Sequence, residues 1–385
     1  MSIIARCCLP VRSESLGNCF DDYWDDPRIP VPVFSVRSGF DLFLQTANLP
    51  KGSEVLMSAY TIPDMPRIVK HHGLVPVPLD LSSEDLGIDT RHLEKMITPQ
   101  TCMLVVAHLF GIQLNLDKLI SVAKRRNLIV IEDCAQIFTG RRFSGHADAD
   151  LTMFSFGSIK TATALAGGLI LIRDEELANR MKSRQNEYPT QSRFSYLKKA
   201  IKYSLLKLIS YRPFFCLSIG ILRILKIDYD RELNRMSRGF PGRNFFEQLR
   251  KKPHHVLLRT MLSRIRAFDE ELLKRRIARG RRLSQNLPAS VRSPGTLSDR
   301  HCYWVYPVLA KNPKRLIKSL REKGFDATQG GSMKVIEPPL GHSRVEPVYS
   351  HRLHRELVYL PFYPELSDSA LERLPEIVMR SERIE

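Results

Sequence analysis

The sequence predicts an α/β protein, with a large domain on a mostly parallel sheet and a small α+β domain after it. Three observations carry this. From Phe34 on, short apolar runs alternate with longer segments of helical period, the βα rhythm of a parallel sheet. Several of those runs are apolar almost throughout, as strands covered on both faces are. The rhythm breaks near Asn186, and two strand-like and two helix-like segments follow beyond residue 300.

Residues 1–36 carry scattered acids (Asp21, Asp22, Asp25, Asp26) and prolines, and read as an irregular N-terminal arm. The large domain is expected over 37–186. Its strands fall at 54–57, 74–79, 103–109, 128–133, 151–156 and 168–173, and its helices at about 40–48, 63–71, 90–97, 115–126 and 174–186. In the fourth of these helices Leu116, Leu119, Ile120 and Ala123 form one apolar stripe. Residues 187–255 break the pattern with Pro189, Pro213 and Pro241 in a basic, apolar mixture, and read as an insertion or linker. A long basic helix over about 256–287 then leads into the small domain, so that 256–385 form the last part. Its elements are a strand at 302–310, a helix at 313–323, a strand at 357–362 and a helix at 366–380.

Chain length of 385 residues is enough to bury a core without covalent staples. Seven cysteines, an odd count with no CxxC pair, argue against a disulfide framework or a zinc site and for a reducing compartment. Arg6 interrupts the short apolar start, so no secretory h-region is read there and a cytoplasmic location is expected. The formal net charge of +18 admits anionic partners. No zinc finger, RNP-type aromatic motif or arginine-rich tail accompanies it, and nucleic acid is set aside. His146, Asp148 and Asp150 have metal-like spacing, but they lie in the turn before the strand at 151–156, and no metal site is expected.

Chemistry in an open α/β sheet gathers past the carboxyl ends of the strands. The run Leu151 to Phe156 ends there in small residues and Lys160, closed by Gly167-Gly168, and the run Leu128 to Glu132 ends at Asp133. An amine on one strand end and a carboxylate on another suit pyridoxal phosphate, which forms a Schiff base and needs a protonated ring nitrogen. Each residue also has a plainer reading. Lys160 could be a solvated loop lysine, Asp133 a helix N-cap and Ser155 a backbone-bonded hydroxyl, while Ser38-Gly39 could be an ordinary turn into a helix.

The motifs also resemble a family. SFGSIK (155–160) resembles the Ser-Phe-x-x-x-Lys signature of the DegT/StrS-type sugar aminotransferases, and IEDCAQ (131–136) resembles their Glu-Asp-x-Ala-Gln/His motif. Further likeness runs through SEVLMSAYTIPDM, IDTRHLEKMITPQT, VVAHLFG and LVYLPFYPELSDSALE. The resemblance implies a fold-type-I pyridoxal phosphate enzyme with a mixed, seven-stranded-type sheet, acting as a homodimer. It implies that Lys160 is the Schiff-base lysine, Asp133 the partner of the ring nitrogen and Gln136 the contact of the phenolic oxygen. Ser155 and Ser38-Gly39 would bind the phosphate, and Ile62 would pack on the ring where the family has an aromatic. The implied reaction passes an amino group from an amino acid donor such as glutamate to a keto sugar, nucleotide-linked in the family, for polysaccharide or secondary-metabolite biosynthesis. Some family members carry histidine in place of the lysine and act as dehydratases; the lysine here favours transamination.

The chain departs from the family at Phe40, where a threonine is usual, and at Leu165-Ala166 before Gly167. Asn234 and Asn244 are the nearest matches to an asparagine that reaches the partner subunit's phosphate, and residues 326–339 replace a histidine-containing stretch. These departures leave two alternatives: a pyridoxal phosphate enzyme with a non-sugar substrate, and a weakly active regulatory or scaffold protein at a membrane.

The segment 196–227 reads as a membrane-surface element. Leu197, Ile201, Leu205 and Leu208 recur at helical spacing beside Lys198, Lys199, Lys202 and Lys207, and the uncharged run 213–222 is too short to span a bilayer. The competing reading packs this apolar face on the protein itself or on a second subunit.

Overall fold

The computed structural model describes residues 3–8, 19–209, 240, 244–288, 291, 293–295, 298, 300–339 and 346–383. They form α1 (Ile3–Cys8), β1 (Ile29–Val33), α2 (Val36–Thr46), β2 (Glu54–Ser58), β3 (Tyr60–Thr61), α3 (Asp64–His71), β4 (Val75–Leu79) and α4 (Thr90–Met96). Then come β5 (Thr101–Ala107), α5 (Asp117–Arg125), β6 (Ile129–Asp133), β7 (Leu151–Ser155), β8 (Gly168–Ile172), α6 (Glu175–Asn186) and α7 (Arg193–Ile209). The remainder is α8 (Phe245–Leu249), α9 (His255–Arg266), α10 (Glu270–Asn286), β9 (Tyr306–Leu309), α11 (Pro313–Glu322), β10 (Lys334–Val335), α12 (Val348–Glu356), β11 (Leu357–Leu360) and α13 (Asp368–Arg383).

Seven strands make one sheet in the order β1-β8-β7-β6-β5-β2-β4. β2 lies parallel to both β4 and β5, β5 runs parallel to β6, and β1 is antiparallel to β8. This is the mixed, mostly parallel seven-stranded sheet that the motifs imply. The six strands read from apolar runs stand within a residue or two of their expected places, because an apolar run fits only a strand covered on both faces.

The chain divides into two compact units, Met1–Ala47 with Met153–Phe268 and Asn48–Thr152 with Asp269–Glu385. In the first, Ser35 caps α2, its hydroxyl accepting the Ser38 N–H at 3.1 Å. Gly39 lets that helix lie close on the sheet, since a Cβ there would stand 2.7 Å from Ile170 Cδ1. One turn on, the buried Asp41 carboxylate takes both the Nε (3.0 Å) and an Nη (3.1 Å) of Arg250. In the second unit, a core from Leu56 through Val130 takes in Leu309, Met333, Leu353 and Leu357. β9 pairs antiparallel with β11, and Leu316, Leu320, Leu371 and Leu374 bury their apolar faces in the same cluster as Val308 and Val358.

Two expectations change, and one element is new. The arm at 1–36 is not wholly irregular: it holds α1 and the edge strand β1, Ile-Pro-Val-Pro-Val, which follows the run of acids Asp21, Asp22, Asp25 and Asp26. The long helix at 256–287 is two helices, since α9 ends at Arg266 and Asp269 caps α10 by accepting the Leu272 N–H at 2.8 Å. Ile62 leads out of a short strand that the sequence did not signal, β3, which pairs antiparallel with β10. The run 213–222 and Asn234 lie outside the described residues.

Candidate active site

In the second unit, β2, β5 and β6 place their carboxyl ends side by side because they run parallel, and the strand order reverses between β2 and β5. Asp133 is the last residue of β6; it is half-buried, and its Oδ1 accepts the Ala135 N–H at 3.0 Å. That bond turns the chain after the strand. Gln136 follows, half-buried, its Oε1 accepting the Phe110 N–H at 2.7 Å and its Nε2 lying 3.9 Å from Met333 Sδ. Ile62 packs partly buried on the same core as Met333.

Beneath Asp133 sits Glu132, fully buried. His108 Nδ1 accepts the Leu114 N–H at 3.0 Å, so the ring proton is on Nε2 and is donated to Glu132 Oε1 at 2.8 Å. The other oxygen, Oε2, accepts the His146 N–H at 2.7 Å and the Thr152 hydroxyl at 3.1 Å. Burial pushes the Glu132 pKa up, but the donors from His108, His146 and Thr152 together carry it below the ordinary value. His108, Glu132 and Cys134 could be read as a metal cluster. Both imidazole nitrogens are already committed, however, so this is a structural brace that fixes the end of β6.

His146, Asp148 and Asp150 are engaged in ordinary bonds. His146 Nε2 meets Asp117 Oδ1 at 2.9 Å, Asp148 pairs with Lys124 at 2.6 Å, and Asp150 Oδ2 accepts the Val130 N–H at 2.8 Å.

In the first unit, Ser155 is the half-buried last residue of β7, and Lys160 stands half-buried in the loop beyond it. Backbone bonds shape that loop: Lys160 N to Gly157 O at 3.1 Å, Ala164 N to Phe156 O at 2.9 Å and Phe156 N to Gly167 O at 3.0 Å. Two tyrosines of α7 hold it from outside. Tyr203 donates to Ser158 Oγ at 2.8 Å, and the buried Tyr196 donates to the Ala164 carbonyl at 2.7 Å. Sequence reasoning counted α7 only for its aliphatic stripe; the signal for these anchors was their spacing of seven, which puts both on one helical face.

Ser38 is buried, its hydroxyl 2.8 Å from that of Ser35, and Gly39 faces β8 and β1. Asn244 is exposed at the start of α8 and donates to Glu247 at 2.8 Å. On α7, Lys199 is not one of the solvent-facing lysines: burial, and then the neighbouring Arg37 and Lys202, bring its pKa down to about 8.

Residues 16–204 match the DegT/DnrJ/EryC1/StrS aminotransferase family. The chain is similar to GDP-perosamine synthase of Escherichia coli O157:H7, at 31% identity over 142 residues, 36% of this chain and 39% of that protein. It is similar as well to the spore coat polysaccharide biosynthesis protein SpsC of Bacillus subtilis (strain 168), at 32% identity over 155 residues and 40% of each chain. These alignments span about two fifths of the length of the curated relatives. Among solved structures, DesV of S. venezuelae superposes with a TM-score of 0.69 at 21% identity, over 100% of this chain and 94% of that one. The aminotransferase TlmJ of Streptoalloteichus hindustanus gives 0.69 at 18% identity, over 99% and 96%. At these identities the likeness is one of fold, and it is fold type I. Over residues 16–204, just under half of its length, the chain is similar to the DegT/DnrJ/EryC1/StrS aminotransferase family.

Proposed function

We propose that the protein is a pyridoxal phosphate-dependent aminotransferase that moves an amino group from an amino acid, glutamate in the first instance, to a keto sugar. The observation that carries this is the Lys160 loop, which begins at the carboxyl end of β7 and is braced by Tyr196 and Tyr203. The donor set fits the cofactor: an amine on Lys160, a carboxylate on Asp133, an amide on Gln136 and a hydroxyl on Ser155. The bound cofactor supplies an electron sink that stabilises the substrate carbon once it loses a proton. Lys160 would hold the cofactor and move that proton. Asp133 would pair with the ring nitrogen and favour its protonated form. Gln136 would hold the ring oxygen, Ile62 would pack on the ring, and Ser155 with the first turn of α2 at Ser38-Gly39 would receive the phosphate.

The names of the relatives, a GDP-perosamine synthase and a spore coat polysaccharide protein, support a nucleotide-linked keto sugar as acceptor. A homodimer belongs to the same reading; sedimentation giving a stable, fully loaded monomer would reject that part.

Borohydride treatment of the loaded protein followed by peptide mass spectrometry tests the assignment. The expected result is one pyridoxyl adduct, on Lys160, together with conversion of the cofactor to its amine form by glutamate. An adduct on another lysine, or none, overturns the assignment of Lys160, and an adduct without amine transfer overturns the activity.

A second reading adds contact with an anionic membrane surface through α7. Among the described residues no helix is long and apolar enough to cross a membrane. Ile201, Leu205 and Leu208 are nevertheless 42%, 53% and 62% exposed on a helix that carries Lys198 and Lys207 and no acid. Flotation with phosphatidylglycerol vesicles at low and high salt should retain the wild type and lose Leu205→Ser/Leu208→Ser. Equal behaviour of the two proteins rejects contact.

A further inference from the structure

The second unit carries a cleft of about 230 Å³ that the proposed reaction does not use. It opens between the loop after β5, the segment after β6 and the first half of α10, and residues 300–302 close it. Glu270, Lys274, Ile277 and Arg281 reach it because they recur at three- and four-residue steps along one face of α10. Four permanent cations line it, Arg142, Lys274, Arg281 and Arg300, against the single carboxylate of Glu270. Arg142 already engages that carboxylate, its Nε standing 2.9 Å from Glu270, and Lys274 Nζ lies 2.6 Å from Glu271 Oε1 one turn along the same helix.

His301 adds no charge. Its Nδ1 accepts the Tyr303 N–H at 2.8 Å, its ring stacks on that tyrosine at 4.0 Å, and burial brings its pKa down to about 4. Ile137, Leu273, Ile277 and Cys302 give the floor an apolar character. The lining keeps more cations than carboxylates even with these pairs made, and a concavity of net positive charge favours an anion. Guanidinium forks match phosphate oxygens in pairs, and an apolar floor suits a carbon skeleton. The volume lies below the roughly 300 Å³ at which pockets for drug-sized ligands begin, so the occupant is small.

We propose that this cleft binds a small organic phosphate or diphosphate, held by Arg281 and Arg300 with Lys274 beside them. The proposal does not rest on the aminotransferase reading. Its test is calorimetry with inorganic pyrophosphate and with uridine diphosphate, at physiological salt, on protein saturated with pyridoxal phosphate so that the cofactor's own phosphate contacts are filled. Saturable binding is expected with at least one probe, weakened tenfold or more in Arg281→Gln/Arg300→Gln. Both side chains are exposed, so the fold should hold, and thermal melting verifies that it does. A control pair elsewhere in the unit, Arg315→Gln/Lys318→Gln, removes the same charge and should change nothing. The proposal is overturned if neither probe binds, if the cleft pair binds as the wild type does, or if the control pair weakens binding equally. Tighter retention of a single-stranded oligonucleotide that the cleft substitutions leave intact would also overturn it.

Discussion

His108 gives its Nε2 proton to Glu132 Oε1 across 2.8 Å, and its Nδ1 is occupied by the Leu114 N–H at 3.0 Å. The imidazole is thereby a neutral donor to a fully buried carboxylate. His108→Leu removes that donor and orphans the Leu114 amide. Leaving a buried charge without its partner costs about 3 kcal/mol, so urea unfolding should show a loss of that order. A loss below 1 kcal/mol would show that the brace is not structural.

Gly145 belongs to the same brace. Its φ is +95°, and a Cβ would stand 2.4 Å from Glu132 Oε2 and 2.5 Å from Thr152 Cγ2. Gly145→Ala should therefore lower stability by about 1–3 kcal/mol through strain and displacement of the carboxylate. An unchanged melting temperature would refute it.

Acid should destabilise the protein in two steps. His301 titrates at about 4 when folded against 6.5 ordinarily, so the unfolded chain binds more protons between those values. The stability this group contributes is full above pH 6.5 and is lost as pH falls toward 4. Glu132, also lowered, contributes stability above its ordinary 4.5 that is lost on further acidification. His301→Gln should flatten the upper part of this decline, and a melting series from pH 7 to 4 that is the same in both proteins would contradict the assignment.

Arg250 is the bidentate partner of Asp41, whose side chain is 1% exposed, and the pairing raises the arginine's pKa. Arg250→Leu takes the cation from the Asp41 carboxylate, which keeps the Gln45 Nε2 donor at 2.7 Å, and should cost about 3 kcal/mol, read in denaturant. Asp41→Asn/Arg250→Leu should recover part of the loss, because no uncompensated charge then remains; a double variant as unstable as the sum of the singles would argue against direct coupling.

Asp133→Asn tests the proposed chemistry while keeping an oxygen that can accept the Ala135 N–H. Turnover should fall about 100-fold or more, equivalent to roughly 2.7 kcal/mol of transition-state stabilisation. Cofactor retention should be partial and the melting temperature near that of the wild type. Full turnover would remove Asp133 from the mechanism.

Much of the fold was legible because burial on both faces leaves an unambiguous mark: the runs ending at Asp133 and Ser155 are apolar in sequence and strands in space. Candidate residues could be located for the same reason, since a strand end is easy to find. What the sequence hid were relations that periodicity does not encode. The acids and prolines scattered through residues 1–36 concealed β1, and a single aspartate, Asp269, divided a helix that the basic pattern suggested was continuous. Lys199 looked like its neighbours until packing beside Arg37 separated it from them. The pairing of Lys334 and Val335 with β3, which brings Met333 to Gln136, joins positions more than 270 residues apart and has no local signal.

The outermost strands of the sheet, β1 and β4, read Ile-Pro-Val-Pro-Val and Val-Pro-Val-Pro-Leu. In β4 the inward N–H groups come from alternate residues, as Val75 shows by donating to Ser53 O, so Pro76 and Pro78 occupy the outward positions. In β1, Gln185 reaches the Pro32 carbonyl from its side chain at 3.2 Å. A foreign strand arriving at either rim would find carbonyls and no amide to receive from. The seven-stranded sheet is thereby closed to growth by augmentation at both rims, which guards it against edge-to-edge polymerisation.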